Sequence, residues 1–150
     1  MSFFLEVAWT DWSNWNHNGI NLNPVSCLNY GAVTGVRWAY RGDYGLIDVE
    51  IECSDGSTHR ITNDNSGYWE HWMLPCSSDG GFHTIGVEYQ DDVGIVNART
   101  ECGMSNGNEN GNWETNMNCF GSQKFFGIQV NYQDCCGIVN VRIQCASMGL

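Results

Sequence analysis

The stretch YQDCCGIVNVRIQC, from Tyr132 to Cys145, is written three times in this chain. Altered copies read YQDDVGIVNARTEC from Tyr89 to Cys102 and YRGDYGLIDVEIEC from Tyr40 to Cys53. Each copy ends on a cysteine, and 26 residues before that cysteine stand Cys27, Cys76 and Cys119. Anchored on these six, the copies align without gaps: Tyr40, Tyr89 and Tyr132 share one position, Gly45, Gly94 and Gly137 another. Past the glycine, apolar and polar residues alternate: Ile47/Val96/Val139, Asp48/Asn97/Asn140, Val49/Ala98/Val141, Glu50/Arg99/Arg142, Ile51/Thr100/Ile143. That period of two marks a strand with one buried face. The glycine suits a hairpin turn or a bulge, and GVRWAY, IGVEY and GIQVNY read as the preceding strands. The chain is therefore a tandem array, with repeat units at roughly 1–57, 58–104 and 105–150 of a single domain.

The equal cysteine spacings predict one disulfide closing each copy: Cys27–Cys53, Cys76–Cys102 and Cys119–Cys145. A zinc site is the rival reading, but the chain has no CxxC pair, and His17, His59, His71 and His83 follow no ligand spacing. Cys135 and Cys136 stand outside this framework, where the second copy has Asp92 and Val93. They bond to each other and lock a tight turn, stay free, or link two chains. An even cysteine count, with six of the eight at repeated spacings, implies an oxidising compartment, hence a secreted, extracellular protein. The opening MSFFLEVAW lacks a basic segment and a small-residue cleavage site, so it is not a signal peptide. On this reading a leader has been removed and Met1 was added for expression.

The net charge is −11, with only six basic residues. No basic stripe is available to neutralise phosphates, so nucleic acid is excluded as a partner. Anionic membrane surfaces repel such a chain, and no apolar run is long enough to cross a bilayer, so no membrane insertion is expected. Seven Trp, six Tyr and six Phe beside a single Lys suit stacking on rings better than pairing with anions. No cofactor is implied. The acidic and amide residues of GMSNGNENGN (Gly103 to Asn112) lack a calcium-ligand pattern, and this stretch reads as a surface loop joining two copies.

No segment holds a 3.6-residue apolar period over three turns. Short strands between Gly, Asn, Ser and Asp turns predict an all-β fold. Three similar units predict three sheets or three hairpin lobes about a pseudo-threefold axis, a closure that leaves no long open edge.

SGYWEHWMLPC (Ser66 to Cys76), followed by a strand and DDVGIVNARTEC (Asp91 to Cys102), with CSDGSTH (Cys53 to His59) before it, resembles the vitelline membrane outer layer protein I family. Asp91, Asp92, Arg99 and Cys102 fall at that family's spacing in the second copy. The third keeps Asp134, Arg142 and Cys145 with Cys135 on the second Asp position; the first keeps Asp43 and Cys53, with Gly42 on the first Asp and Glu50 on the Arg. Trp69 and Trp72 match the family's tryptophan pair, Trp113 its first member, and Trp9 and Trp12 are matched to it in the first copy. The loop before the Asp pair is several residues shorter here than in the family. The resemblance implies a β-prism of three antiparallel Greek-key sheets, an egg-coat or mucosal setting with glycans or coat glycoproteins as partners, and affinity for N-acetylated oligosaccharides. It also implies a weak lysozyme-like transferase or hydrolase activity as an alternative; a purely structural coat protein is a third reading.

The candidate glycan contacts are Asp43, Asp91, Asp92, Asp134, Trp12 and Trp69. The aspartates read first as turn formers, and the glycan contact is the sharper alternative. Adjacent Asp91 and Asp92 would point to opposite faces of a strand, which argues against a catalytic pair, and no catalytic residue is assigned. Asp48, Glu50, Asn97, Arg99, Asn140 and Arg142 either form the solvated faces of three strands or approach one another around the axis as a charge-assisted network. Trp38, at a position held elsewhere by Val87 and Val130, belongs to the core. The remaining tryptophans precede the first cysteine of each copy and either fill the core or, in WTDWSNWNHNGINLN (Trp9 to Asn23), stack on sugars.

Overall fold

A computed structural model describes residues 3–13, 19–42, 44–91, 93–105 and 111–149, without the side chains of 3–5, 148 and 149. Asp43, Asp92, Trp15 and His17 lie outside the described residues, as does the centre of the 103–112 stretch. Every regular element among the described residues is a strand. The chain opens with β1 (Phe3–Trp9), β2 (Ile20–Asn21) and β3 (Val25–Ser26). The first repeated hairpin is β4 (Val33–Arg41) and β5 (Gly45–Cys53), followed by β6 (Thr58–Arg60) and β7 (Tyr68–Trp69). The second is β8 (Thr84–Gln90) and β9 (Gly94–Thr100), followed by β10 (Gly103–Met104), β11 (Asn112–Trp113) and β12 (Met117–Asn118). The third is β13 (Lys124–Gln133) and β14 (Gly137–Gly149).

Each hairpin is the centre of one antiparallel sheet. The first sheet runs β6-β5-β4-β7, and the second runs β10-β9-β8-β11 with β12 also on β8. In both, a third strand follows the hairpin and a fourth returns to lie beside its first strand, which is the Greek-key order. The third sheet, β1-β14-β13-β2 with β3 also on β13, has the same order with the chain ends inside it. β1 supplies the third strand, pairing with β14 from Trp9 opposite Gln144 to Phe3 opposite Gly149. The N-terminal segment thereby completes the C-terminal sheet.

The repeated glycine sets the threefold relation. Gly45, Gly94 and Gly137 have φ of +88°, +117° and +81°, a backbone conformation that side chains oppose. A Cβ on Gly45 would meet the Ile95 carbonyl at 2.6 Å, one on Gly94 the Ile138 carbonyl at 2.8 Å, and one on Gly137 the Leu46 carbonyl at 2.6 Å. Each glycine thus packs against the residue that follows the glycine of the next copy, and the third contact closes the ring. Inward-facing residues fill the interior: Val36, Trp38, Val49 and Ile51; Ile85, Val87 and Ala98; Ile128, Val130, Val141 and Ile143. Phe82 and Phe125 meet edge to face at 6.3 Å between centroids. Trp38 is fully buried, as its repeat position predicts.

The three framework disulfides, Cys27–Cys53, Cys76–Cys102 and Cys119–Cys145, are formed, and Cys135 bonds to Cys136.

Candidate functional site

The side chains opposite the core distinguish the three sheets. At the middle of each hairpin, two residues face each other across the strands on the outer face: Arg37 and Glu50, Gly86 and Arg99, Gln129 and Arg142. Every pair includes one arginine, and each arginine lies against tryptophan. The Arg37 guanidinium is 4.6 Å from the Trp69 ring centroid and 4.7 Å from that of Trp72. Arg99 is 4.1 Å from Trp113. Arg142 is 4.8 Å from Trp9 and 4.9 Å from Trp12. Such contacts are worth about 0.5–2 kcal/mol, depending on desolvation. The five tryptophans are half-buried and cover outer faces, so they do not fill the interior as Trp38 does.

Strand register refines the repeat alignment. Trp69 lies opposite Ala39 and Trp113 opposite Glu88, and at the corresponding level of the third sheet Asn21 lies opposite Asn131. Trp9 and Trp12 reach their sheet from the other flank, along β14. The same arginine–tryptophan stack is built there with side chains from a different strand.

The network expected around the axis does not form; the same residues bond within their own sheets instead. Glu50 accepts from Arg37, and Asp48 from Arg60 at 2.8 Å. Asp48 also accepts from the N–H groups of Val49 and Thr62, both on Oδ1. Asn97 accepts from the Ser105 hydroxyl and Asn140 from that of Ser13, and each also accepts from the N–H of its own following residue. The three side chains are fully buried and tie the flanking segment to the hairpin just past its bulge. The reason they do not converge on the axis is strand alternation. Val49, Ala98 and Val141 point inward, so their neighbours point outward.

One flank pair leaves an open groove of about 970 Å³. One wall is Trp9 through Ser13; the other is Thr115 through Asn118 with Phe120. The first wall is sewn to β14: Thr10 N–H donates to the Ile143 carbonyl at 2.8 Å, and Ser13 N–H to that of Val141 at 2.7 Å. The Thr10 and Ser13 hydroxyls accept from Ile143 and Val141 in return. The second wall is held on β8, where Met117 and Asn118 pair with Ile85 and Thr84. Thr84 donates its hydroxyl to the Asn118 side chain, and Arg99 donates to Asn116. The Cys119–Cys145 bridge joins the two walls, since Cys119 follows Asn118 and Cys145 lies opposite Ala8. Arg142 holds the two indoles at the rim and itself donates from Nε to the Gln129 side-chain oxygen Oε1 at 2.8 Å. Phe120 is 74% exposed.

The groove combines three aromatic rings with asparagine amides, hydroxyls and the Asp11 carboxylate. It is within the size range of small-ligand sites. Rings present a flat apolar face, and amides supply both donors and acceptors. Of the sequence candidates among the described residues, only Trp12 lies here. Trp9 comes from the stretch whose composition suggested sugar stacking. Asn116, Asn118 and Phe120 were not singled out; Asn116 follows Trp113 at the spacing separating Trp72 from Trp69, and Phe120 carries no repeat signal.

The other candidates lie elsewhere. Trp69 covers the first sheet. Asp91 and Asp134 are exposed at hairpin tips, away from the groove, which lies toward the disulfide end of β14 and β8. Near the third tip, Tyr132 donates its hydroxyl to Asp64 at 3.0 Å. Burial, then Asp64 and Asp134, push its pKa up to about 12. Burial acts to raise the Asp64 pKa, but bonds from Ser66 and Tyr132 and the charge of Arg41 outweigh it and hold it below normal.

No family model matches this sequence, and no curated protein does either. Among solved structures, the chain is similar to a prostate-specific WGA16 glycoprotein lectin in its crystal form II. The TM-score is 0.64 at 16% identity, covering 93% of this chain and 99% of that one. The fold is a β-prism. At that identity the likeness carries the architecture alone, with three antiparallel sheets and no helix among the described residues.

Proposed function

We propose that this β-prism is a secreted glycan-binding protein that takes an uncharged, N-acetylated oligosaccharide in the groove between Trp9–Ser13 and Thr115–Phe120. The observation carrying this reading is the convergence of Trp9, Trp12 and Phe120 with Asn116, Asn118 and Asp11 on one open cleft. Pyranose C–H faces stack on rings while hydroxyls and acetamido groups bond to amides and carboxylates. The lectin name of the structural neighbour and the four disulfides support the reading. Asp11 as the one carboxylate among the described lining residues favours binding over hydrolysis, since glycosidases use two opposed carboxyl groups. An extracellular coat of the egg-envelope type is the setting that the resemblance to vitelline membrane outer layer protein I suggests. Calorimetric titration with chitotriose tests the proposal. The parent should bind, and Trp12→Ala and Phe120→Ala should each weaken binding about fivefold or more. Equal affinity in parent and both variants would refute the groove.

A further inference from the structure

The tip of the β13–β14 hairpin repeats a turn made twice elsewhere. In all three, the N–H before the glycine donates back three residues: Tyr44 to Arg41 at 2.9 Å, Val93 to Gln90 at 3.1 Å, and Cys136 to Gln133 at 3.1 Å. Each turn is followed by a glycine of positive φ. Two of the three contain no cysteine, so the turn does not require the Cys135–Cys136 bond. The bond also ties no distant segments together. The other three disulfides each span 26 residues, whereas this one spans adjacent positions. A disulfide stabilises in large part by restricting the unfolded chain, and a closure this short restricts little. Cys135 is exposed, while both ends of Cys27–Cys53 and Cys119–Cys145 are buried. Cys76 is exposed as well, but its bond closes a long loop.

We propose that Cys135–Cys136 is a thiol-exchange site, opened by a small dithiol reductant while the fold stays intact. A thiolate of the reductant attacks Cys135 Sγ and forms a mixed disulfide. The Cys135–Cys136 bond breaks, and its electron pair leaves on Cys136 Sγ, which takes a proton from water. The reductant's second thiolate then attacks its own sulfur in the mixed disulfide. The reductant closes to a cyclic disulfide, and Cys135 Sγ leaves and is protonated. Two electrons pass from the dithiol to the protein, leaving two adjacent thiols on an exposed tip. Exposed disulfides are the labile ones. Asp134 and the overall charge of −11 favour a neutral dithiol over an anionic thiol.

Graded dithiothreitol on the folded protein, an iodoacetamide quench and peptide mass mapping test this site. Labels should appear together on Cys135 and Cys136 at about tenfold less reductant than any other cysteine needs, with the thermal midpoint unchanged. Phenylarsine oxide, which bridges adjacent thiols, should then block both labels. Cys135→Ser/Cys136→Ser should fold with the parent's midpoint and lose the first reduction phase. Labelling of Cys76 and Cys102 first or simultaneously, labelling only on unfolding, or failure of the double variant to fold would each overturn the proposal.

Discussion

Arg37 on β4 lies directly across from Glu50 on β5, with 2.6 Å between guanidinium and carboxylate. In the third sheet the same two positions are Gln129 and Arg142. The arginine has changed strands between copies, yet it stacks on a tryptophan pair in both. What the outer face keeps is an arginine of the central hairpin under the indoles, whichever strand supplies it; in the first sheet Arg60 also lies over Trp69, at 5.1 Å.

This exchange can be tested directly. Arg37→Gln alone leaves the nearly buried Glu50 without its cation and should cost about 1–3 kcal/mol. Adding Glu50→Arg installs the third sheet's pair and should recover stability to within about 1 kcal/mol of the parent. Denaturant unfolding of both variants decides it; a double variant no more stable than the single one would contradict the equivalence.

The glycine ring makes a second prediction. Gly137→Ala places a Cβ 2.6 Å from the Leu46 carbonyl at a φ of +81°. Backbone cannot yield as a side chain can, so the loss should exceed about 2 kcal/mol. Gly42→Ala is the control, since a Cβ there meets nothing within 4 Å; its effect should stay within about 0.5 kcal/mol.

Acid should loosen the loop before the second sheet. The Ser77 hydroxyl, the Gly81 N–H and His83 hold the Asp79 pKa near about 2, below its usual 3.8. A depressed carboxyl contributes stability above its unfolded pKa and loses it as the pH falls through the folded one. The parent's advantage over Asp79→Asn should therefore be full above about pH 5 and gone only by about pH 1, below the folded pKa. Tyr132 works in the opposite sense. Its raised pKa contributes below pH 10.0 and is lost as the pH climbs through about 12. Acid and base unfolding curves of Asp79→Asn and Tyr132→Phe measure both.

Removing the Cys119–Cys145 bridge separates stability from recognition. Cys119→Ser/Cys145→Ser and Cys76→Ser/Cys102→Ser should each lose about 2–5 kcal/mol. Only the first pair joins the groove walls, so only it should also weaken chitotriose binding in the folded protein. Equal effects on binding would show that the bridge does not shape the groove.

The repeat was legible because its spacing comes from covalent and backbone requirements. Cysteines must meet in pairs, glycines must adopt positive φ, and strands must alternate. Those constraints act on neighbours in sequence or on identical positions of each copy. The groove obeys neither. Trp9 and Phe120 face each other because β1 completes the sheet begun by β13 and β14, a closure between chain ends that no periodicity encodes. For the same reason Trp9 and Trp12 read as the first copy's pair, although they serve the third sheet. Asp48, Asn97 and Asn140 were found as a repeated set; their partners, Arg60, Ser105 and Ser13, lie in segments that share no spacing.

The central claim is that the groove, and not the hairpin tips, binds glycan. An NMR titration with chitotriose up to about 10 mM reports on both at once. The indole N–H signals of Trp9 and Trp12, the ring of Phe120 and the side-chain amides of Asn116 and Asn118 should shift together along one saturating curve, with Asp91 and Asp134 unmoved. Shifts confined to Asp91, Asp134 and their tips, or none at the highest concentration, would contradict it.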